Sequence, residues 1–217
     1  MRFLEKLARG ALGCVTMYSL EQKASITKQR EAMHTLRWTI HDIKLLPDDG
    51  NRYEIIDGEL YVAKQPDWEH QFVGGQIFAF LQAWSSQTQA GMANLAPGII
   101  YTDDTNVVPD VVWISRERLK TALQKDGKLH SSSELVVEVL SPGADNERRD
   151  REVKLKLYSR HNVKEYWVVN WHTRSLEVYR REHAVLSLDK TLDEGDVLES
   201  PLLPGFRCQV GQLFISL

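Results

Sequence analysis

The chain has 217 residues, of which 42% are hydrophobic and 26% are charged, and its formal net charge at pH 7 is -3. This composition is typical of a folded domain and argues against intrinsic disorder. A protein that coats nucleic acid would be basic overall, so any contact with DNA must depend on local basic patches or on metal ions. No apolar run approaches the ~20 residues of a membrane span, so we expect no membrane association.

The cysteines and the first 36 residues indicate the setting of the domain. Cys14 and Cys208 lie at opposite ends of the chain, which favours a reducing, cytoplasmic compartment. The apolar patch around Cys14 is too short for a secretory leader. We expect residues 1–36 to be a peripheral N-terminal extension and residues 37–217 to form one domain.

The first elements of the domain are predicted from capping, turn and periodicity signals. Thr39 is suited to cap a short helix that ends near Leu46. Asp57-Gly58 is typical of a hairpin turn between the strands YEII and ELYVA. Apolar residues at helical spacing then predict an amphipathic helix over residues 68–84.

The rest of the chain mixes strands and helices without a regular βαβ order. The segment NVVPDVVWIS predicts one strand, SRERLKTALQKDG a helix or loop, and SELVVEVLS a further strand. NERRDREVKLKLYSRH predicts a charged helix whose inner face holds Val153, Leu157 and Tyr158. Three further strands are predicted from KEYWVVNW, RSLEVYRRE and AVLSL, and the tail is predicted to form a strand and a short helix. We therefore predict an α/β (α+β) fold with a mixed sheet flanked by helices.

Two apolar strands each contain one carboxylate. Period-2 geometry places Asp110 on the face of Val112, and Glu138 on the face of Leu140. A buried carboxylate is costly unless a cation, a metal or a hydrogen bond lies beside it, and either acid alone is equally well explained by a structural hydrogen bond. Because Mg²⁺ prefers carboxylate oxygens, two acids in similar strands favour a shared divalent-cation site.

The charged helix after Glu138 offers a lysine. Asp150, Lys154 and Tyr158 have i, i+4, i+8 spacing and therefore lie along one side of this helix. The apolar face turns Lys154 toward the sheet more than it turns Lys156. Taken alone, Lys154 is still better explained as a solvated lysine that pairs with Asp150.

Five motifs resemble, in order and spacing, the Uma family of restriction endonuclease-like proteins in the PD-(D/E)XK nuclease superfamily. They are YEIIDGELYVA, VVPDVVWI, LVVEVLSPG, RRDREVKLKLYSRHNVKEYWVVN and LPGF, and the resemblance covers roughly residues 37–217. It implies a restriction-endonuclease-like core and hydrolysis of DNA with Mg²⁺ or Mn²⁺ as cofactor. The usual motif has a lysine two residues after the second acid, where this chain has Leu140.

The resemblance also implies roles for individual residues. Asp110, Glu138 and the main-chain carbonyl of Val139 would hold the metal ion, and Lys154 would supply the lysine that is absent from the strand. Glu54 would be an additional catalytic acid, although a hairpin surface position explains it equally well.

Two less specific matches and a group of basic side chains complete the predicted site. His70 and Tyr158 match further family positions, although a lone histidine is more often structural. Basic side chains of the charged helix would contact DNA phosphates, unless they form an ordinary solvated face. They are Arg148, Arg149, Arg151 and Lys156.

These observations predict a Mg²⁺-dependent endonuclease that acts on double-stranded DNA, and cutting both strands favours a homodimer. One alternative is a catalytically silent nuclease-fold module that binds DNA or protein. Another is a metal-dependent phosphatase. The chain contains no GxSxG, P-loop or HExxH motif, which argues against acyl transfer, NTP hydrolysis and zinc proteolysis.

Overall fold

A six-stranded mixed sheet is the centre of the architecture. The structure, a computed structural model, describes residues 37–215. The predictions for residues 1–36, including Cys14, therefore concern residues outside this range. Within it, no helix combines the length and the apolar character needed to cross a membrane.

The helices and strands follow one another in a mixed order. The helical elements are α1 (Ile40–Ile43), α2 (Trp68–Thr88), α3 (Arg116–Ala122), α4 (Ala144–Arg148), a π-helical segment (Arg149–Lys154), α5 (Leu155–Arg160) and a 3₁₀ turn (Val210–Leu213). The strands are β1 (Arg52–Ile56), β2 (Glu59–Ala63), β3 (Gly91–Leu95), β4 (Ile99–Thr102), β5 (Thr105–Val107), β6 (Val111–Ser115), β7 (Leu135–Val139), β8 (Glu165–Asn170), β9 (Ser175–Glu182), β10 (Val185–Asp193), β11 (Val197–Ser200) and β12 (Leu203–Gln209).

The strands form two sheets and a separate hairpin. The large sheet has the order β10-β9-β8-β7-β6-β3, and its neighbouring strands are antiparallel except for the parallel pair β7 and β8. The smaller sheet has the order β2-β1-β5-β4 and is antiparallel throughout. β11 pairs with β12. The predicted mixed sheet flanked by helices is thus confirmed.

Both faces of the large sheet are buried, and period-2 alternation decides which residue enters which core. Val111 and Trp113 of β6 belong to the core under α2. Val112 and Ile114 belong to the core under α5, together with Tyr158. Because the central strands are covered on both sides, they consist of nearly continuous apolar residues rather than alternating ones.

The capping and turn signals near the start of the domain are confirmed, but α1 ends at Ile43 rather than near Leu46. Thr39 precedes α1, and its main-chain N–H and its hydroxyl both donate to the Asp42 carboxylate, at 2.7 and 2.8 Å. Asp57 and Gly58 connect β1 to β2 with φ angles of 53° and 80°. These angles suit the two-residue hairpin turns in which both central residues have positive φ.

The segment NVVPDVVWIS is not one strand, and that prediction is wrong. β5 ends at Val107 in the smaller sheet, and β6 begins at Val111 in the large one. Pro109 lies between them and has no N–H to continue a ladder. The N–H of Val108 instead donates to the carboxylate Oε1 of Glu54 at 2.7 Å, so a side chain replaces a strand partner.

The single charged helix of the sequence prediction is also interrupted. Its middle turn, Arg149–Lys154, is π-helical, whereas the turns before and after it are α-helical. Such segments are rare and occur frequently at functional sites. Leu157 and Tyr158 are fully buried as predicted, while Val153 is only partly buried.

Gly91 provides a test of how β3 packs against β6. A Cβ atom at Gly91 would fall well inside contact distance of the Ile114 carbonyl oxygen and of the Trp113 ring. Because a main-chain atom cannot move aside cheaply, Gly91→Ala should lower the free energy of unfolding by about 1–3 kcal/mol. Urea denaturation would measure this difference.

Gly195→Ala is the matched control, because no atom lies within 4 Å of a Cβ placed there and its φ is not in the left-handed region. This control should change the free energy of unfolding by no more than about 0.5 kcal/mol. Equal effects of the two substitutions would contradict the described packing of β3.

Candidate active site

Four buried carboxylates converge from separate elements onto one small cavity of about 20 Å³. They are Glu54 of β1, Asp110 just before β6, Glu138 of β7 and Asp150 of the π-helical segment. The cavity has room for about one water-sized particle. Sequence positions almost 100 residues apart, from 54 to 150, therefore meet at one point.

Lys154 lies among these acids and is only 2% exposed. Its Nζ is 2.9 Å from Oε1 of Glu138, 3.0 Å from Oε2 of Glu54 and 3.8 Å from Oδ1 of Asp150. A buried ammonium requires such partners, since an unpaired charge in the interior is very costly. Lys156, by contrast, is exposed. The explanation of Lys154 as a solvated lysine therefore does not hold.

Two tyrosines fix the orientation of this cluster. The hydroxyl of Tyr158 donates to Oε1 of Glu138 at 2.7 Å, so this oxygen accepts from both Tyr158 and Lys154. The hydroxyl of Tyr166 donates to the main-chain carbonyl of Asp150 at 3.0 Å. That contact ties the π-helical segment to β8, because Tyr166 is a strand residue.

Asp110 is held from three directions. Arg52 donates from Nη1 to Oδ1 at 3.1 Å, and the N–H of Val139 donates to Oδ2 at 2.9 Å. Nε2 of His70, in the first turn of α2, is 3.4 Å from Oδ2. His70 is 6% exposed, and its Nδ1 is buried without a hydrogen-bond partner within residues 37–215.

The two central acids have opposite electrostatic environments. Burial alone would raise the pKa of Asp110, but the hydrogen bonds and charges of His70, Val139 and Arg52 hold it at about 2. Burial raises the pKa of Glu138 to about 8, because the lowering effect of Lys154 is opposed by the surrounding carboxylates. Asp110 is thus a firm anion, whereas the ammonium of Lys154 offsets only part of the cost of burying Glu138.

The cations at the site remain charged at neutral pH. Burial alone would lower the pKa of Lys154, but Glu138, Glu54 and Asp150 raise it above its ordinary value. Arg149 is buried and donates from Nε to Asp150 at 3.2 Å, and the neighbouring carboxylates raise its pKa against the effect of burial.

The basic residues that were predicted to contact phosphates occupy different environments. Arg149 lies inside the site rather than on the surface. Arg148 is exposed and lies 3.4 Å from Glu152, while Arg151 forms ion pairs with Glu147 and Glu177. The two acids beside Arg151 neutralise charge that was expected to meet DNA, whereas the side chain of Arg148 stays open to solvent.

Arg52 is a residue of the site that was missed in the sequence. It shares the inward face of β1 with Glu54, two positions away, and its Nη1 contacts both Asp110 and the carbonyl of Val108. The alternation in the string RYE was the available signal. A basic residue two positions before a buried acid in a strand lies on the same side of the sheet as that acid.

The donor types at the cavity fit a hard divalent cation. No group of three or more His, Cys, Asp or Glu side chains within residues 37–215 is arranged to hold a metal ion. The ligand set inferred from the sequence, Asp110 and Glu138 with the Val139 carbonyl, needs only two side chains. Carboxylate and carbonyl oxygens are the ligands that Mg²⁺ prefers.

Comparisons with known proteins give the family and the fold of the chain. The sequence profile of the Uma2 family, described as "Putative restriction endonuclease", matches residues 40–211. A similar solved structure is the crystal structure of a protein from Anabaena variabilis described as "a putative nuclease belonging to DUF820". It is 16% identical, has a TM-score of 0.67, and the match covers 81% of this chain and 97% of that one. At this identity the likeness establishes the fold alone. The comparison with curated proteins gives no match.

Removing the Lys154 charge tests how the buried cluster is stabilised. Lys154→Met should lower the free energy of unfolding by about 3 kcal/mol, because it leaves Glu138 and Glu54 buried without their cation. The exposed Lys156→Met control should change it by less than about 0.5 kcal/mol. Chemical denaturation at neutral pH would measure both.

The double variant Glu138→Gln with Lys154→Met should regain more than about 1 kcal/mol over Lys154→Met alone, since it also removes the stranded acid. If the two substitutions had simply additive effects, the coupling of these side chains would be refuted.

Proposed function

Since the chain belongs to the Uma2 family of restriction endonuclease-like proteins, we propose that it is a Mg²⁺-dependent endonuclease that hydrolyses phosphodiester bonds of DNA. The observation that carries the proposal is the convergence of Asp110, Glu138 and Glu54 around the buried Lys154 at one cavity. The cavity gathers four carboxylates and four lysine or arginine side chains from separate parts of the described chain. Such clusters of titratable groups occur at functional sites, where carboxylates can hold a metal ion for phosphoryl transfer.

Asp110, Glu138 and the carbonyl of Val139 would hold Mg²⁺ or Mn²⁺, with Glu54 as an additional acid. Such an ion supplies Lewis acidity, which makes water more nucleophilic and neutralises charge on the phosphate. His70 and Arg52 would keep the Asp110 carboxylate in place, because both contact it directly.

Lys154 would orient the attacking water and stabilise the pentacovalent phosphorus. Lys154 donates a hydrogen bond to Glu138, while Glu54 at 3.0 Å and Asp150 at 3.8 Å are ion-pair partners. An ammonium has three N–H donors, so donor capacity remains for a water or a phosphate oxygen. The water oxygen forms the new P–O bond while the bond to the leaving oxygen breaks, and the leaving oxygen takes up a proton. Tyr158 would position Glu138 in this step.

The substrate and the assembly follow from the same proposal. Double-stranded DNA would be the partner, with Arg148 and Lys156 on the exposed side of the helical segment as sequence-independent phosphate contacts. Cutting both strands would be carried out by a two-fold homodimer. The compartment would be the cytoplasm, in keeping with the two widely separated cysteines of the chain.

A second candidate is a nuclease-fold module that binds DNA or protein without cleaving. The ion pairs of Lys154 favour this second function, because its ammonium gives Glu138 and Glu54 a protein partner and a binding module needs no metal ion. Calorimetric titration with Mg²⁺ separates the two functions: a nuclease must bind the ion, and loss of the heat in Asp110→Ala would place the binding at the cavity.

The proposed activity predicts Mg²⁺-dependent cleavage of DNA. Supercoiled plasmid should be nicked or linearised, and Asp110→Ala or Glu138→Ala should lower the rate by at least about 100-fold, because each removes an electrostatic contribution to the transition state. Linear duplex, single-stranded DNA, RNA and a phosphomonoester should be assayed in parallel. Turnover of the phosphomonoester alone would instead identify a phosphatase, and undiminished nicking by the Asp110→Ala, Glu138→Ala double variant would disprove the site.

The two lysines of the helical segment give a more specific prediction. Lys154→Ala should reduce the cleavage rate far more than Lys156→Ala, because only Lys154 reaches the carboxylates. Single-turnover rates with saturating enzyme would separate this effect from DNA binding. Equal losses in the two variants would contradict the assignment of the catalytic lysine to position 154.

A further inference from the structure

Of the four described lysine and arginine side chains at the carboxylate cavity, two are sealed from solvent. The side chains of Lys154 and Arg149 are 2% and 10% exposed, and both are held by acids. The side chain of Arg52 is 30% exposed, and Lys64 is exposed. Arg52 and Lys64 are therefore the positive side chains lining the cavity that an incoming anion can reach.

Arg52 is only partly committed to the protein. Its Nη1 donates to Asp110 at 3.1 Å and to the carbonyl of Val108 at 3.3 Å. A guanidinium carries five N–H donors in a planar fork, and fork geometry matches phosphate oxygens. The N–H groups of Nε and Nη2 remain for a ligand while Nη1 keeps Asp110 in position.

Lys64 lies beside Arg52 because of the hairpin register. Arg52 pairs with Ala63 across the two strands, and Lys64 is the next residue after β2 ends. Lys64 forms no ion pair within residues 37–215, in contrast to Arg148 and Arg151. Its charge is thus available at the rim of the cavity.

The cavity also retains an unsatisfied polar atom. His70 is 6% exposed and lines the cavity, and its Nδ1 has no hydrogen-bond partner within the described part of the chain. A buried polar atom without a partner costs free energy, and native proteins usually satisfy it with a water or a ligand. A water or a polar ligand in the cavity would satisfy this atom.

We propose that Arg52 and Lys64 form a phosphate-binding subsite at the mouth of the cavity, which takes a backbone phosphate of the nucleic acid. This inference rests on the proposed nuclease function. Arg52 would hold a phosphate oxygen with Nε and Nη2 and Asp110 with Nη1, so that the same side chain aligns substrate and acid. Lys64 adds charge from the rim, and the sequence of the bases plays no part in either contact.

Salt dependence of DNA binding tests the subsite without cleavage. Fluorescence anisotropy with a fluorescein-labelled duplex in EDTA, over about 50 to 200 mM NaCl, gives the slope of log K against log salt concentration. Arg52→Gln and Lys64→Gln should each reduce the magnitude of this slope by about 0.9, because each removes one phosphate contact. Lys125→Gln, an exposed lysine outside the cavity lining, should leave it unchanged.

The structural role of Arg52 is separated from phosphate binding by the same measurement. If Arg52 only held Asp110, its removal would change thermal stability but not the salt slope. Unchanged slopes in both Arg52→Gln and Lys64→Gln would overturn the subsite, as would wild-type protein that binds no duplex. Lys64→Gln changes an exposed side chain and should fold normally. Cleavage by the wild type is assayed separately. If the wild type cleaves DNA but both variants have unchanged salt slopes, the subsite alone is refuted. If the slopes of the variants change but the wild type does not cleave, only the nuclease activity is refuted.

Discussion

The burial of one ammonium group among carboxylates is the constraint on which the site depends. Lys154 is held by Glu138 of β7 and Glu54 of β1, so a single side chain joins both sheets and the helical segment. None of these groups is stable in the interior alone, because an isolated buried charge is far more costly than a compensated one. The cavity therefore forms as a unit, and its acids are fixed in position before any ligand arrives.

Much of the architecture could be predicted because it follows from local chemistry. Period-2 alternation placed Glu138 on the face of Leu140, and Tyr158, which packs on that face, contacts it. Asp110 precedes β6, so strand alternation does not decide its orientation. The Asp57-Gly58 turn was predictable because few residue pairs accept two positive φ angles. Lys154 was predicted to face the sheet because helical spacing places it above Tyr158, and its burial agrees with that placement.

The remaining features depend on contacts that no local pattern records. The break between β5 and β6 is stable because Glu54, far away in the sequence, accepts the N–H of Val108. The π-helical turn depends on long-range contacts such as that between Tyr166 and the Asp150 carbonyl. Arg149 is typical of a surface residue by composition, but the tertiary fold buries it against Asp150. In each case a buried polar group has a partner that only the tertiary fold brings close, so the local sequence pattern does not reveal it.

The parallel pairing of β7 and β8 has a consequence for the order in which the protein assembles. Parallel neighbours cannot be joined by a tight turn, so residues 140–164 must cross the sheet before the pair can close, and Lys154 lies on this crossover. Loop closure of this kind is slow, because chain entropy is lost before the strand contacts form. The lysine consequently reaches Glu138 only when this crossover closes. Before the crossover is complete, Lys154 cannot pair with both Glu138 and Glu54, so a partly folded chain lacks the complete set of ion pairs of the site.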